Sequence, residues 1–207
     1  MPICKEIIEE QYQIYFWEIT ESEKELVELA QLTSTESERL AIKKSSERRL
    51  QWLACRVLLN ELFEEKIIIT NDEYGKPFID VEDLHITLSH SGKYVMLGIS
   101  ENEIGVDIEL IREKVLKIIP KFLSETEISY LSDKNKIEEA LIYWTAKESL
   151  IKIYGKKDLA LLTEINVSKF DKNKSIGTFK GQISKKPYKL VSQRLDDYIF
   201  VIATEQI

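Results

Sequence analysis

The sequence predicts an α+β fold in which helices pack against antiparallel sheets. Three observations carry this. Strand-like runs follow one another closely at 84–90, 93–99 and 104–109, and again at 163–170, 176–183, 187–193 and 197–203. Helical periodicity precedes each of these meanders rather than alternating with single strands. The order of helices followed by strands also occurs twice, which hints at an internal pseudo-repeat, although residue-level self-similarity between the halves is weak.

The elements follow in order. Gln13 to Ile19 reads as a strand. Thr20-Glu-Ser-Glu23 has capping-box spacing and opens a short helix to about Gln31. A longer helix is expected between Ser46 and Glu64, with Leu50, Leu53, Val57 and Leu58 as its apolar stripe. Lys66 to Thr70 is β-branched and strand-like, and Asn71 to Pro77 is a turn leading into extended chain. After Glu109 comes helical material with a second capping box at Ser124-Glu-Thr-Glu127. A helix then runs from about Lys136 to Tyr154 and stops at Gly155.

Composition narrows the function classes. A chain of 207 residues with 43% hydrophobic and 31% charged residues is ordinary for a soluble globular protein. Its longest apolar runs fall far below the roughly 20 residues of a membrane helix, and its start is charged too early for a secretory signal. Cys4 and Cys55 form neither a disulfide framework nor a zinc pattern, which points to reduced thiols in a cytoplasmic protein. His85 and His90 are the only histidines, so a histidine-ligated metal is disfavoured. The net charge of −7 is uneven: Lys147 to Arg194 holds twelve Lys/Arg against four acids. That split suits either an acidic partner or a solvated lysine-rich face. The lysines are scattered and no nucleic-acid motif accompanies them.

The chemistry-bearing residues lie in two segments. In Gly105-Val-Asp107-Ile-Glu109 the carboxylates sit at strand spacing and share a face, with Ile104, Val106, Ile108 and Leu110 on the other. In Trp144-Thr-Ala-Lys147-Glu148-Ser-Leu-Ile-Lys152, helical spacing puts Trp144, Glu148 and Lys152 on one face and Lys147 on another. Three carboxylates and a lysine suit a hard, oxygen-loving metal beside a phosphate. Taken singly, Asp-x-Glu is a common surface triplet and Glu148–Lys152 an ordinary i,i+4 ion pair. His90, in Ser89-His90-Ser91-Gly92, and Lys76, in Gly75-Lys76-Pro77, stand at turns where each could meet an anion. Arg39, Lys43, Lys44, Arg48, Arg49 and Arg56 add basic residues upstream.

In order along the chain, Gly75-Lys-Pro, Ser89-His-Ser, Gly105-Val-Asp-Ile-Glu and Trp144-Thr-Ala-Lys-Glu-Ser-Leu-Ile-Lys resemble the 4′-phosphopantetheinyl transferases of the surfactin-synthetase-activating (Sfp-like) type. The resemblance implies a monomer of two similar halves, 1–103 and 104–207, with coenzyme A in the cleft between them. It implies transfer of the phosphopantetheine arm to a serine of an apo acyl or peptidyl carrier protein, releasing adenosine 3′,5′-bisphosphate. It further implies Mg²⁺, or Mn²⁺, held by Asp107, Glu109 and Glu148, with Glu148 and Lys152 catalytic. Lys76, Pro77, Ser89, His90, Lys152 and Arg49 would bind coenzyme A. The acidic carrier would dock on the basic segment Lys156–Lys174. No membrane or nucleic-acid partner is expected. Two other readings use the same residues: a Mg²⁺-dependent phosphodiesterase or hydrolase, and a non-catalytic protein that binds coenzyme A or a carrier.

Overall fold

A computed structural model of the chain describes residues 3–156, 159–170 and 176–206. The strands are β1 (Ile3–Ile8), β2 (Gln13–Glu18), β3 (Thr70–Asn71), β4 (Pro77–Phe78), β5 (His85–Ser91), β6 (Tyr94–Ser100), β7 (Ile104–Leu110), β8 (Ile165–Val167), β9 (Ile176–Ile183), β10 (Lys186–Leu195) and β11 (Tyr198–Glu205). The helices are α1 (Glu23–Ala30), α2 (Ser34–Ala41), α3 (Ser46–Leu62), α4 (Ile119–Phe122), α5 (Glu125–Ile128) and α6 (Lys136–Tyr154), with a 3-10 turn at Glu113–Lys117. One sheet has the order β1-β2-β6-β5, the other β7-β11-β10-β9-β8, and β3-β4 form a small hairpin. Every pairing is antiparallel. The expected α+β class is therefore observed. No described helix is long and apolar enough to cross a membrane.

Strand alternation sorts the side chains into three cores. Tyr15, Trp17, Val95, Leu97 and Ile86 face the helices α1 and α3. Ile14, Phe16 and Met96 point the other way and meet Val106, Ile108, Phe200 and Ile202 of the second sheet. Ile199, Val201, Leu190 and Phe179 occupy that sheet's far face, against Ala146, Leu150 and Ile153 of α6. The layers thus run helices, sheet, sheet, helix. Phe16 and Phe200 pack edge-on at 4.8 Å across the central seam, and Tyr94 and Tyr198 do so at 5.0 Å.

At the seam's edge the two sheets join through side chains. Three alternate residues of β5 offer hydroxyls to the outward amides of β7. Val106 N–H donates to Thr87 Oγ1, Ile108 N–H to Ser89 Oγ and Leu110 N–H to Ser91 Oγ, each at 3.2 Å. Lys152 Nζ caps the Val106 carbonyl on the same side at 2.8 Å. The β7 edge, which would otherwise expose unpaired backbone groups, is closed this way.

Several boundaries differ from expectation for local reasons. Ser22, not Thr20, caps α1: Thr20-Glu-Ser-Glu and Ser22-Glu-Lys-Glu both have box spacing. Glu23, the acid a Thr20 box would need, is held by Arg49, while Glu25 reaches back to the Ser22 amide and closes the Ser22–Glu25 box. The expected strand Lys66–Thr70 shrinks to Thr70–Asn71, which among the described residues pairs only with Pro77–Phe78. β1 and α2 were not expected. The capping box at Ser124–Glu127, helix α6 and its left-handed Gly155 stop (φ 79°) agree with the sequence reading.

Candidate active site

β7 and α6 supply the chemistry, and Gly105 brings them together. A Cβ built on Gly105 would lie 2.0 Å from the Ser149 carbonyl oxygen, so only glycine permits this approach. Two and four residues further along β7, Asp107 and Glu109 point to the same helix. Trp144, Glu148 and Lys152 form the facing row.

Each carboxylate has a different environment. Asp107 is buried; its Oδ1 accepts from Lys152 Nζ at 2.9 Å and from the Ser89 hydroxyl at 2.7 Å. Asp107 Oδ2 is buried without a hydrogen-bond partner among the described residues. Glu109 accepts from Trp144 Nε1 at 3.4 Å and from the Ser91 hydroxyl at 3.2 Å. Burial and then the Asp107 charge raise its pKa, while those two hydrogen bonds and Lys152 hold it down. The half-buried Glu148 carboxylate accepts no hydrogen bond from any described residue. Burial first, then the Asp107 charge, push its pKa up to about 7, with Lys152 opposing and Glu109 adding. A carboxylate so placed is a competent base near neutrality.

The other expected residues are distributed around this row. Lys76 and Pro77 line a recess of about 190 Å³ with Tyr74, Leu88, Lys152 and Gly155. It continues into a second, of about 360 Å³, bounded also by Phe78, His85 and Tyr154. Lys76 Nζ donates to the Ile153 carbonyl at 3.1 Å and pairs with Glu103. His90 is exposed at its surface. The surrounding protein mass, then Lys152, hold its pKa below the usual value, with Arg48 adding to the effect. Arg49 is committed elsewhere: it grips Glu23 with Nε at 2.9 Å and Nη2 at 2.5 Å, and donates to the Leu40 carbonyl at 2.7 Å. Arg48, next to it, is exposed and close enough for its charge to be felt at His90. Ser89 is buried, with its hydroxyl engaged by Asp107 and the Ile108 amide. Lys147 turns away from the row. Its fully buried Nζ donates to the Phe122 and Leu161 carbonyls and to Glu127 Oε2, at 2.6, 2.8 and 2.8 Å, so it acts as an internal clamp.

Beyond Glu109 and Trp144, at the opposite end of the row from Lys152, lies another recess of about 240 Å³. Its floor is Leu110, Val115, Ile118, Leu141 and Trp144, and its rim carries exposed Arg112 and Lys114. Within the basic segment Lys156–Lys174, Lys156 stands over the Tyr74 ring and Lys169 over Tyr130. Lys157, Lys172 and Lys174 lie outside the described residues. Sequence reasoning had not singled out Tyr74 or Ser91. For Ser91 the available signal was the hydroxyl at every second position of Thr87-Leu-Ser-His-Ser91, which puts residues 87, 89 and 91 on one strand face.

The donor set suits a hard divalent cation. The partnerless Asp107 Oδ2 and the mutual repulsion that raises Glu109 and Glu148 both call for a positive charge beyond Lys152. Among the described residues no three His, Cys, Asp or Glu side chains form a ready-made metal cage. Mg²⁺ characteristically needs none, since it keeps waters and binds through one or two carboxylates plus substrate phosphates.

Comparison with known proteins finds similarity to one family of transferases. Residues 103–203 match the family model of the 4′-phosphopantetheinyl transferase superfamily. The chain is 36% identical over 134 residues to the 4′-phosphopantetheinyl transferase gsp of Aneurinibacillus migulanus, covering 63% of this chain and 55% of that one. It is 40% identical over 100 residues to the 4′-phosphopantetheinyl transferase Sfp of Bacillus subtilis (strain 168), covering 46% and 45%. Against the 4′-phosphopantetheinyl transferase AcpT of Salmonella typhi the identity is 32% over 115 residues, covering 52% and 60%. The chain spans about half the length of the curated relatives it matches. These matches bear out the resemblance to the 4′-phosphopantetheinyl transferases; residues 103–203 include the Gly105–Glu109 and Trp144–Lys152 motifs.

Proposed function

We propose that this chain is a 4′-phosphopantetheinyl transferase of the surfactin-synthetase-activating type; its residues 103–203 match the family model of the 4′-phosphopantetheinyl transferase superfamily. The observation that carries this reading is the row of Asp107, Glu109, Glu148 and Lys152 laid between two recesses. Coenzyme A takes the recess at Lys76 and Pro77, with Tyr74 offering an aromatic face to its base. His90 and Arg48 receive the 3′-phosphate in place of Arg49, whose guanidinium is held by Glu23. The cleft between residues 1–103 and 104–207, two similar halves of a cytoplasmic monomer, is the setting.

In the reaction, the carrier serine oxygen bonds to the phosphorus that bears the pantetheine arm. The bond from that phosphorus to the bridging pyrophosphate oxygen breaks, and adenosine 3′,5′-bisphosphate leaves. Glu148, with its raised pKa, takes the serine proton. Lys152 sits between Asp107 and the β7 backbone, where its ammonium can steady the leaving oxygens. Asp107, Glu109 and Glu148 would hold Mg²⁺, or Mn²⁺, which supplies neutralisation of charge on the pyrophosphate when bound. Nucleophile and leaving group lie on opposite sides of a phosphorus in displacement. With the nucleotide at the Lys152 end, the serine therefore arrives from the Glu109–Trp144 end. An acidic carrier helix there would meet Arg112 and Lys114, while Lys156 belongs to the nucleotide side.

Intact-mass analysis of an apo carrier protein incubated with the chain, coenzyme A and Mg²⁺ tests the reading. A phosphopantetheine adduct on the carrier, absent with EDTA or with Glu148→Gln, is expected. Free phosphopantetheine without an adduct would indicate a hydrolase instead.

A further inference from the structure

The hydroxyl row of β5 does two jobs at once, and the second bears on the site. Ser89 and Ser91 each accept a β7 amide, from Ile108 and Leu110, and each donates its own proton to the carboxylate on that strand. A hydroxyl has one proton and two lone pairs, so accepting from a fixed backbone amide sets where its proton points. For Ser89 that direction is Asp107 Oδ1 at 2.7 Å, and for Ser91 it is Glu109 Oε2 at 3.2 Å. Thr87, first in the row, accepts the Val106 amide in the same way, but the residue beside that amide is Gly105, with no side chain to receive its proton. The row therefore contains its own control.

We infer that Ser89 and Ser91 are positioning residues, which hold Asp107 and Glu109 in the orientation that receives a divalent cation. This inference rests on the proposed metal-assisted transferase reading. It moves Ser89 from contact with coenzyme A to support of the carboxylates. Asp107 shows the consequence: with Oδ1 fixed by Ser89 and Lys152, its other oxygen is left buried and open for a cation. Hydrogen-bonding partners of metal-binding carboxylates and imidazoles typically contribute about 10–100-fold to metal affinity.

The test is calorimetric titration of Mn²⁺ into the full chain with coenzyme A present. Wild type, Ser89→Ala, Ser91→Ala, Ser89→Thr and Thr87→Val are compared, with urea unfolding run on each. Ser89→Ala and Ser91→Ala should bind Mn²⁺ about tenfold or more weakly. Ser89→Thr, which keeps the hydroxyl, should recover affinity. Thr87→Val should lose stability comparable to Ser89→Ala, because it also strands an amide, yet keep wild-type Mn²⁺ affinity. Equal Mn²⁺ affinity in wild type and both alanine variants overturns the inference and leaves the transferase reading intact. Equal weakening by Thr87→Val also overturns it, because the row would then be structural only. A wild type that binds no Mn²⁺ sinks both this inference and the metal assignment. Hydroxyl-dependent Mn²⁺ binding without carrier modification would leave the inference standing and remove the transferase.

Discussion

Glu148 stands where stability and chemistry conflict. Its carboxyl has a folded pKa near 7 against an ordinary value of 4.5, because burial and the charges on Asp107 and Glu109 disfavour the anion. Between those values the native state holds a proton that the unfolded state has released. Stability therefore falls as pH rises through this window and stays lower above it. Glu148→Gln removes the penalty. In the metal-free protein it should raise stability at pH 8 by about 1–2 kcal/mol, a figure reduced for the carboxylate's partial solvent exposure, and change nothing at pH 4. Urea midpoints at the two pH values check this; a variant no more stable at pH 8 would mean the anion is not strained. The acids and lysine of this row were legible in the sequence because strand and helix periods alone align them. The partners of Arg49 and Ser89 were not, since Glu23 and Asp107 lie 26 and 18 residues away and only tertiary packing selects them. Lys147 was legible only as pointing elsewhere. Its clamp was not legible: the Ser124–Glu127 capping box marks a helix start but does not tell which lysine meets Glu127, and the Phe122 and Leu161 carbonyls carry no signal of their own.

At the level of elements, the distance between β7 and α6 fixes the site, and Gly105 fixes that distance. An added methyl would press on the Ser149 carbonyl, which is backbone within a long buried helix and cannot rotate away. Gly105→Ala should therefore cost about 1–3 kcal/mol by overpacking. It should also displace the turn of α6 that bears Glu148 and Lys152, lowering kcat by as much as about 100-fold. Thermal unfolding together with carrier-modification kinetics separates the effects. A lowered Tm with unchanged kcat would show that the approach of α6 to β7 does not align the row. The elements themselves were readable in proportion to their local signals. α6 has a sharp glycine stop, and β9 alternates between two Gly positions, so both are legible. β1 is a six-residue edge strand of alternating exposure whose pairing with β2 is decided by the hairpin between them. α2 carries its own Thr33–Glu36 capping box but few apolar residues, so its helical face is set by packing of Leu40 rather than by pattern.

Across the whole molecule, the charge split acquires a direction. The sequence places an excess of Lys and Arg after Lys147, but the fold puts basic residues from both stretches of the chain at the two ends of the carboxylate row. Lys156 stands beside Tyr74 at the recess lined by Lys76 and Pro77, whereas Arg112 and Lys114, from the acidic remainder of the chain, rim the recess at Glu109 and Trp144. The family resemblance, together with the charge split, implies carrier docking on Lys156–Lys174. Which lysines share a face with the serine's approach depends on how β7, the 3-10 turn and α6 converge. The two surfaces make opposite kinetic predictions. Reversing Arg112 and Lys114 to Glu should raise the carrier KM about tenfold at low salt, an effect that shrinks as ionic strength rises, and leave the coenzyme A KM unchanged. Lys156→Glu should do the reverse, weakening coenzyme A with little change in carrier KM. Steady-state kinetics with each substrate varied in turn decides between them. A carrier KM sensitive to Lys156 and indifferent to Arg112 and Lys114 would return docking to the basic segment and reverse the proposed direction of attack.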